Sequence, residues 1–264
     1  ANLLVNESTG TIASDVTNLS GAILYNEENG SITGVVDNYG IVANDGDITT
    51  LNNKAADTTD PTKATAGYVS NIGAIGDATN GAGALIDNMG DGTINTLVND
   101  GASATAGAGV VNSAAGSILT SADNDGILNL TDGDGTPAQS TIVAAITGDG
   151  HTNIEGDVIN ASNTFTQGGG ITVEDSNDPT NPNSLTNQGN IIADIDVEDN
   201  ADLILDNDSH ATGDVTLEGS NSTLEIVDDG DLTGDVIADN GGKIQVSALN
   251  EDSKLSQISG DIKG

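Results

Sequence analysis

Closely spaced aspartates are the side chains of this sequence with the most evident chemistry. They form three short runs that include Gly or Asn, and such runs offer a calcium ion several carboxylate and carbonyl oxygens. No run continues into an EF-hand loop, because the bidentate glutamate is missing at the required spacing. The runs predict weak structural calcium sites, with ordinary acidic turns as the alternative. The predicted ligands are Asp123, Asp125, Asp132, Asp134, Asp228, Asp229 and Asp231.

Carboxylates that share one strand face would suit polysaccharide cleavage, which places two acids across a glycosidic bond. Asp194, Asp196 and Glu198 form the best set, since they alternate with aliphatic residues. A sugar groove also requires aromatic platforms, and a lyase requires cations, but the chain has four aromatic residues, five Lys and no Arg. His151 and His210 lie in polar segments without metal-binding spacing. We predict no catalytic residue and no organic cofactor, and keep a glycan-cleaving hydrolase or lyase as the alternative function.

The elements that would position these side chains repeat along the chain. The motif Asn-x-x-x-Gly-[Thr/Ser]-Ile occurs four times, and its first two copies are 20 residues apart. In the C-terminal half a Gly-Asp-Val or Gly-Asp-Ile phrase recurs, and short apolar runs follow one another at 21 and 20 residues. A period of this length is typical of a solenoid, because one repeat cannot bury its own apolar face. The copies of the first motif are Asn6–Ile12, Asn26–Ile32, Asn88–Ile94 and Asn112–Ile118.

Each repeat is interpreted as two or three short strands joined by turns. The apolar runs are short, rich in β-branched residues and bounded by Gly, Asn or Asp, which favours strands over helices. We therefore predict an all-β fold, a single-chain parallel β-helix or β-solenoid of about a dozen coils of roughly 20 residues. The motif Asn is expected to stack from coil to coil in an amide ladder. One domain is predicted over residues 1–264, with loop excursions near 55–65, 131–140 and 175–184, which hold all four prolines.

The composition limits the partners that the chain can have. A net charge of −36 repels nucleic acid and anionic lipid, so neither is an expected partner. Aromatic residues make up 2% of the chain, which suits a narrow core of stacked aliphatic side chains. The low hydrophobic content also fits disorder, but apolar residues in alternating runs at fixed spacing argue against it. There is no Cys and no membrane-spanning apolar segment, so neither disulfides nor direct membrane insertion is predicted.

The coil length, the Asn/Gly/Ile phrases, the Gly-Asp-Val turns and the lack of Cys resemble the passenger domains of Gram-negative autotransporters. More broadly, the chain is similar to haemagglutinin-type secreted β-helix adhesins. The resemblance is carried by Asn26–Ile32, Asn112–Ile118 and Thr212–Ile244. It implies export, an extracellular or cell-surface location, and adhesion or self-association without catalysis. The chain departs from that family at Val246–Gly264, which is short and polar where the family has a membrane domain.

The repeat pattern starts at Leu3 and continues to Ile262, without an amphipathic cap at either end. Open coil edges favour stacking on other coils, and a head-to-tail contact that does not close gives a fibre. The alternative is a chain cut from a longer solenoid. We predict an extracellular structural protein, either a surface adhesin or a self-assembling fibre or sheath subunit that stacks end to end. Its expected partners are further copies of itself and other cell-surface components.

Overall fold

The fold is known from a computed structural model, which describes residues 2–102, 107–132, 140–206, 208–247 and 256–264. The chain is all-β, with 55% strand and 3% helix, and its strands pair in parallel in the order of the coils. The predicted parallel β-solenoid is therefore confirmed. Contacts divide the chain into two compact units, Ala1–Leu128 and Asn129–Gly264. The single domain over residues 1–264 stays a prediction.

The first unit is built from two parallel sheets, which we call A1 and B1. Sheet A1 contains β1 (Leu3–Asn6), β4 (Ile23–Asn26), β6 (Ile41–Asn44), β8 (Tyr68–Asn71), β10 (Leu85–Asn88) and β12 (Val110–Ala114). Sheet B1 contains β2 (Thr11–Ile12), β3 (Val16–Asn18), β5 (Ser31–Asn38), β7 (Asp47–Asn53), β9 (Ala74–Asn80), β11 (Thr93–Asn99) and β13 (Ile118–Asn124). Strand β14 (Ile127–Thr131) begins in the first unit and ends in the second.

The second unit uses three parallel sheets, called A2, B2 and C2. Sheet C2 contains β15 (Ser140–Ile142), β18 (Asp157–Asn160), β21 (Asn183–Asn187), β24 (Ala201–Leu205), β27 (Thr223–Val227) and β30 (Lys243–Ser247). Sheet B2 contains β16 (Ala145–Thr147), β19 (Phe165–Thr166), β22 (Asn190–Ile192), β25 (His210–Thr212), β28 (Asp231–Thr233) and β31 (Gln257–Ser259). Sheet A2 contains β17 (His151–Glu155), β20 (Ile171–Val173), β23 (Ile195–Val197), β26 (Val215–Leu217), β29 (Val236–Ala238) and β32 (Ile262–Lys263). Short 3₁₀ turns lie at Pro61–Lys63, Ala115–Ser117 and Asp239–Gly241.

Aliphatic side chains of successive coils stack directly on one another to form the core. The isoleucine that ends each copy of the motif points inward, and Ile32 and Ile94 are both 0% exposed. Burial of this kind contributes about 0.8 kcal/mol per methylene group, and stacking supplies it without large aromatic residues. One inward column in sheet A1 consists of Leu24, Val42, Val69, Ile86 and Val111.

The predicted amide ladder is confirmed, and the first unit contains two of them. Within each ladder the side-chain Nδ2 of one Asn donates to the Oδ1 of the next, at 2.6–2.9 Å. The four steps of the first ladder span 20, 18, 27 and 17 residues, and a further step of 25 residues leads from Asn88 to Ser113, so the coils differ in length. The first ladder contains Asn6, Asn26, Asn44, Asn71 and Asn88, and the second contains Asn18, Asn38, Asn53, Asn80, Asn99 and Asn124.

The ladder also explains the spacing within the motif. Asn26 donates a second hydrogen bond to the carbonyl oxygen of Gly30, four residues further on, and Asn88 does the same to Gly92. The fourth copy of the motif departs from this pattern. There Ser113 takes the inward position and accepts from Asn88, while Asn112 lies on the outer face and donates to Asp87.

Glycines at the corners of the second unit explain the Gly-Asp-Val phrase. Gly213 has a φ of 139°, and a Cβ there would lie 2.0 Å from the carbonyl oxygen of Ala193 in the preceding coil. The Asp after each such glycine is also used, since the backbone N–H of Asp214 donates to the carboxylate of Asp194. Asp235 and Asp214 repeat this bond one coil further on.

The predicted loop excursions lie between strands as far as the structure describes them. Strand β7 ends at Asn53 and β8 begins at Tyr68. The segment between them folds back on an earlier corner, where the carbonyl of Thr62 accepts from the backbone N–H of Ser20. A second excursion lies between β20 and β21. Of the third, residues 133–139 lie outside the described part of the chain.

Candidate binding surfaces

One outward row of sheet A1 is apolar in every coil from β1 to β12, and we call it the apolar column. Strand register places its members directly above one another. Their neighbours along each strand alternate between buried and outward positions, as in the pattern of Ile23 to Asn26. The apolar column consists of Leu3, Ile23, Ile41, Tyr68, Leu85 and Val110.

The apolar column is open to solvent along part of its length. Leu3 is 65% exposed and Ile41 is 42% exposed, while the other members are half-buried between neighbouring coils. Five steps at the strand spacing of about 4.8 Å give a length of about 24 Å. Rows of solvent-facing apolar side chains mark interaction sites more often than scattered ones do. No pattern in the sequence had predicted this surface.

Sheet B1 shows that the apolar column is a property of sheet A1. An outward row of sheet B1 consists mainly of polar side chains, with Val98 as its apolar member at 42% exposure. Val98 therefore matches Ile41 in exposure and serves as a control position. That row contains Thr17, Asp37, Asn52, Thr79, Val98 and Asp123.

Two tyrosines lie on the face of sheet A1, each bonded to an aspartate one coil further on. The Tyr25 hydroxyl donates to Asp45 at 2.7 Å, and the Tyr68 hydroxyl donates to Asp87 at 2.9 Å. Each carboxylate accepts this hydrogen bond and raises the pKa of the tyrosine above its usual range. Both hydroxyls therefore stay protonated at neutral pH, and the bonds hold the rings against the face.

Carboxylates flank the apolar column on one side. Glu7, Glu27 and Asp45 follow the ladder asparagines on three successive coils, and Asp87 lies beside Leu85 on the face itself. The sequence has two lysines in the first unit, and both contact carboxylates elsewhere. Lys54 lies 3.1 Å from Asp37, and Lys63 lies 3.4 Å from Asp60 and above the ring of Tyr39. The apolar column is thus bordered by negative charge.

The structure describes six of the seven aspartates predicted to bind calcium. Asp123 is an exposed residue of β13 that pairs in register with Val98, and Asp125 follows in the next turn. Asp132 lies against Gly156 in the second unit, whereas Asp134 lies outside the described residues.

Asp228 and Asp229 share the turn between β27 and β28, where both adopt positive φ values of 44° and 69°. Each has one buried carboxylate oxygen that makes no hydrogen bond. Asp231 lies 3.5 Å from the ring of His210. Across the part of the chain that the structure describes, no three His, Asp or Glu side chains are grouped so that they could hold a metal ion. Calcium binding by the seven aspartates stays a prediction.

A column of glutamates occupies a corner of the second unit and was also missed. Backbone bonds place Glu155, Glu174, Glu198 and Glu218 on successive coils, each directly after a buried aliphatic residue. Partial burial, followed by the charges of Glu198 and Glu155, raises the pKa of Glu174, and His151 opposes this effect. The repeated aliphatic-Glu pair at strand ends was the signal in the sequence.

Only one of the three carboxylates considered for catalysis lies within a strand. Asp196 is an exposed residue of β23 between buried Ile195 and Val197, as the alternation predicted. Asp194 and Glu198 lie just outside that strand, at its two ends. All three nevertheless remain accessible from the surface of the second unit.

Another carboxylate pair lies on the outer face of sheet C2. Asp157 and Asp202 flank Ser184 in register, two coil steps apart, and the Ser184 hydroxyl donates to Asp157 at 2.8 Å. Partial burial raises the pKa of Asp202, against the opposing effects of Thr223 and Lys243. Two steps correspond to about 9.6 Å, close to the about 6.5–9.5 Å that separates the acids of inverting glycosidases.

Comparison with known proteins adds no relative to these observations. No protein-family model matches the chain, and neither a curated protein nor a solved structure is detectably similar to it. Among the described residues, no helix has the length and hydropathy needed to cross a bilayer. The function therefore has to be inferred from the surfaces of the solenoid itself.

Proposed function

We propose that this chain is an extracellular or cell-surface structural protein that acts by binding, as an adhesin does. The observation that carries the proposal is the apolar column on the outer face of sheet A1. Stacked core residues and amide ladders hold that face rigid, so the column loses little conformational entropy on binding. The resemblance to autotransporter passenger domains supports the location.

Adhesion by coated microspheres tests this role. Spheres carrying equal amounts of wild type, an Ile41→Ser/Leu85→Ser variant or a Val98→Ser variant are counted on a panel of bacterial, plant and animal cells. We expect the double variant to lose most of the adhesion and Val98→Ser to retain it, because Val98 matches Ile41 in exposure but lies on sheet B1. Equal adhesion by all three proteins would rule out the apolar column as the contact surface.

Self-assembly end to end is a second candidate, supported by the parallel stacking of the coils, since a head-to-tail contact between copies that does not close gives a fibre. Leu4 belongs to β1, and its register partner in the next coil is the buried core residue Leu24. Sedimentation velocity at rising concentration, compared with a Leu4→Glu variant, tests this role. A strict monomer at all concentrations would count against it.

Calcium is proposed as a structural cofactor of the acidic turns. Negative-stain micrographs and thermal unfolding would each be recorded with millimolar calcium and with chelator. Stabilisation by calcium that is lost on Asp228→Asn/Asp229→Asn/Asp231→Asn would support a site at the β27–β28 turn. Identical unfolding midpoints with calcium and with chelator would show that calcium does not stabilise the fold.

Polysaccharide cleavage remains the alternative function, favoured by the pair Asp157 and Asp202. The raised pKa of Asp202 suits a general acid, and Asp157 would then be the base. Release of reducing sugar from bacterial and algal polysaccharides, abolished by Asp202→Asn, would establish this activity. An Asp91→Asn variant is the matched control, because Asp91 is an exposed turn residue of the first unit.

A further inference from the structure

We propose that the apolar column binds an amphipathic α-helix whose apolar stripe is flanked by Lys or Arg. This inference rests on the proposed binding function and names the partner that the face fits. Three properties of the surface lead to it, which are the chemistry of its side chains, their spacing and the charges beside them.

The side chains favour a protein partner over a glycan. Five of the six members of the apolar column are aliphatic, and Tyr68 is the exception. Sugar rings are recognised by planar aromatic rings together with many hydrogen-bonding groups, whereas aliphatic rows pack against other aliphatic side chains. Tyr25 and Tyr68 also have their hydroxyls committed to Asp45 and Asp87.

The spacing favours a helix that runs along the stack of coils. Successive members of the apolar column are about 4.8 Å apart, and one helical turn rises about 5.4 Å. Over five steps the mismatch accumulates to about 3 Å, which side-chain rotamers absorb. In an extended strand, residues on one face are about 6.7 Å apart, and five steps would accumulate an error of about 9 Å. A helix of about 16 residues covers the column.

The charges decide what the helix carries and disfavour a second copy of this chain on this face. Glu7, Glu27, Asp45 and Asp87 border the column, and both lysines of the first unit contact carboxylates away from it. Two chains of net charge −36 would repel each other across such a face. Lys or Arg beside an apolar stripe instead meets these carboxylates, and their aliphatic stems extend the apolar contact.

The test uses the full chain and two fluorescein-labelled 18-residue peptides of Leu and Lys. In one peptide the leucines form a single helical stripe, and in the other the same residues are scrambled. Fluorescence anisotropy is measured at physiological salt, which screens general attraction to an acidic protein. We expect the striped peptide to bind at least tenfold more tightly than the scrambled one and to gain helical circular dichroism on binding.

Variants locate the binding on the protein. Ile41→Ser/Leu85→Ser is expected to weaken binding of the striped peptide at least tenfold, while Val98→Ser changes it less than twofold. Because all three positions face outward, unchanged circular dichroism should confirm that each variant is folded. Equal binding of both peptides, or equal binding by wild type and the double variant, would overturn the proposal.

Two further outcomes separate this inference from the proposed function. A neutral oligosaccharide that binds wild type but not the double variant would overturn the proposal of a helical partner. It would still support the apolar column as a binding surface. Self-association that the double variant abolishes would identify a second copy as the occupant and overturn the helix as well. Loss of microsphere adhesion in the double variant without any peptide binding would sustain the function and refute this partner.

Discussion

Replacing Asn26 with Asp changes one buried amide into a carboxyl group of nearly the same shape. Asn26 is 0% exposed, and its Nδ2 donates to Asn44 Oδ1 at 2.7 Å, to Gly30 O at 3.3 Å and to Asp47 O at 3.2 Å. Its Oδ1 accepts from Asn6 at 2.7 Å. The substitution keeps that acceptor and removes the donor from all three oxygens.

The three oxygens are not affected equally. The carbonyl of Gly30 keeps a second donor, the backbone N–H of Asp47 at 2.9 Å, so most of the loss falls on the buried Oδ1 of Asn44. An orphaned buried acceptor costs about 1–3 kcal/mol, and the new carboxylate adds a desolvation penalty. We expect the first unit to lose about 3–5 kcal/mol of unfolding free energy near pH 7. Near pH 4 the protonated carboxyl regains one donor, so the loss should be smaller.

Urea unfolding followed by far-UV circular dichroism measures the effect, and hydrogen exchange locates it. Coils of a repeat protein can open separately, so amides beside Asn26 and Asn44 should lose protection before distant ones. Asn29→Asp is the control, because it adds the same charge at an exposed turn residue with a φ of 63°. The control should change stability by less than about 0.5 kcal/mol. Equal effects of the two substitutions would refute the view that ladder hydrogen bonds stabilise the fold.

Further predictions concern the second unit and the tyrosine contacts. Since the pKa of Glu174 is raised, wild type loses stability as pH rises from the ordinary glutamate pKa through that raised value. Glu174→Gln should therefore be more stable than wild type at pH 7 by a fraction of a kcal/mol and lose this advantage in acid. Thermal melts of both proteins at several pH values measure the difference. Glu28→Gln, at an exposed turn residue, is the control and should show no such pH-dependent gain. Gly213→Ala should cost about 3 kcal/mol or more in urea unfolding, because its Cβ would meet a carbonyl of the preceding coil. Gly21 also has a positive φ but open space around it, so Gly21→Ala should cost about 1 kcal/mol. Similar losses in the two variants would contradict the view that the close approach of Gly213 to the preceding coil requires a glycine. Tyr68→Phe should cost about 0.5–1 kcal/mol, measured in the same way, and no change would mean that the bond to Asp87 contributes nothing.

The sequence was informative where one residue type has one role in every coil. The Asn and Ile of the motif predicted the ladder and the inward column, because the Asn ends the strand before the turn, the Ile lies in the strand after it, and both point inward. Alternation also placed Ile195 and Val197 inside and Asp196 outside. Parallel stacking then follows, since only equivalent positions of successive coils can form continuous columns.

The apolar column was missed because alternation is ambiguous when both sides of a strand are apolar. In the run Leu3-Leu4-Val5 the sequence does not reveal which side faces the core, and the answer depends on where the coil turns. The coils also vary between 15 and 27 residues in length, so a fixed period does not show which residues of successive coils are equivalent. For this reason Asn112 was expected in the ladder that Ser113 occupies, and the glutamate column went unrecognised.

The ladder of the first unit has a consequence for how such a chain can change length during evolution. An inward Asn accepts from the coil before it and donates to the coil after it, as Asn26 does between Asn6 and Asn44. When a whole coil is duplicated or deleted, the ladder hydrogen bonds can therefore form again across the new junction. An insertion of part of a coil instead shifts all later amides out of line, unless it is looped out at a corner as between β7 and β8. Gene duplication in units of one coil, with additions confined to corners, is the mode of growth that this hydrogen-bond pattern permits.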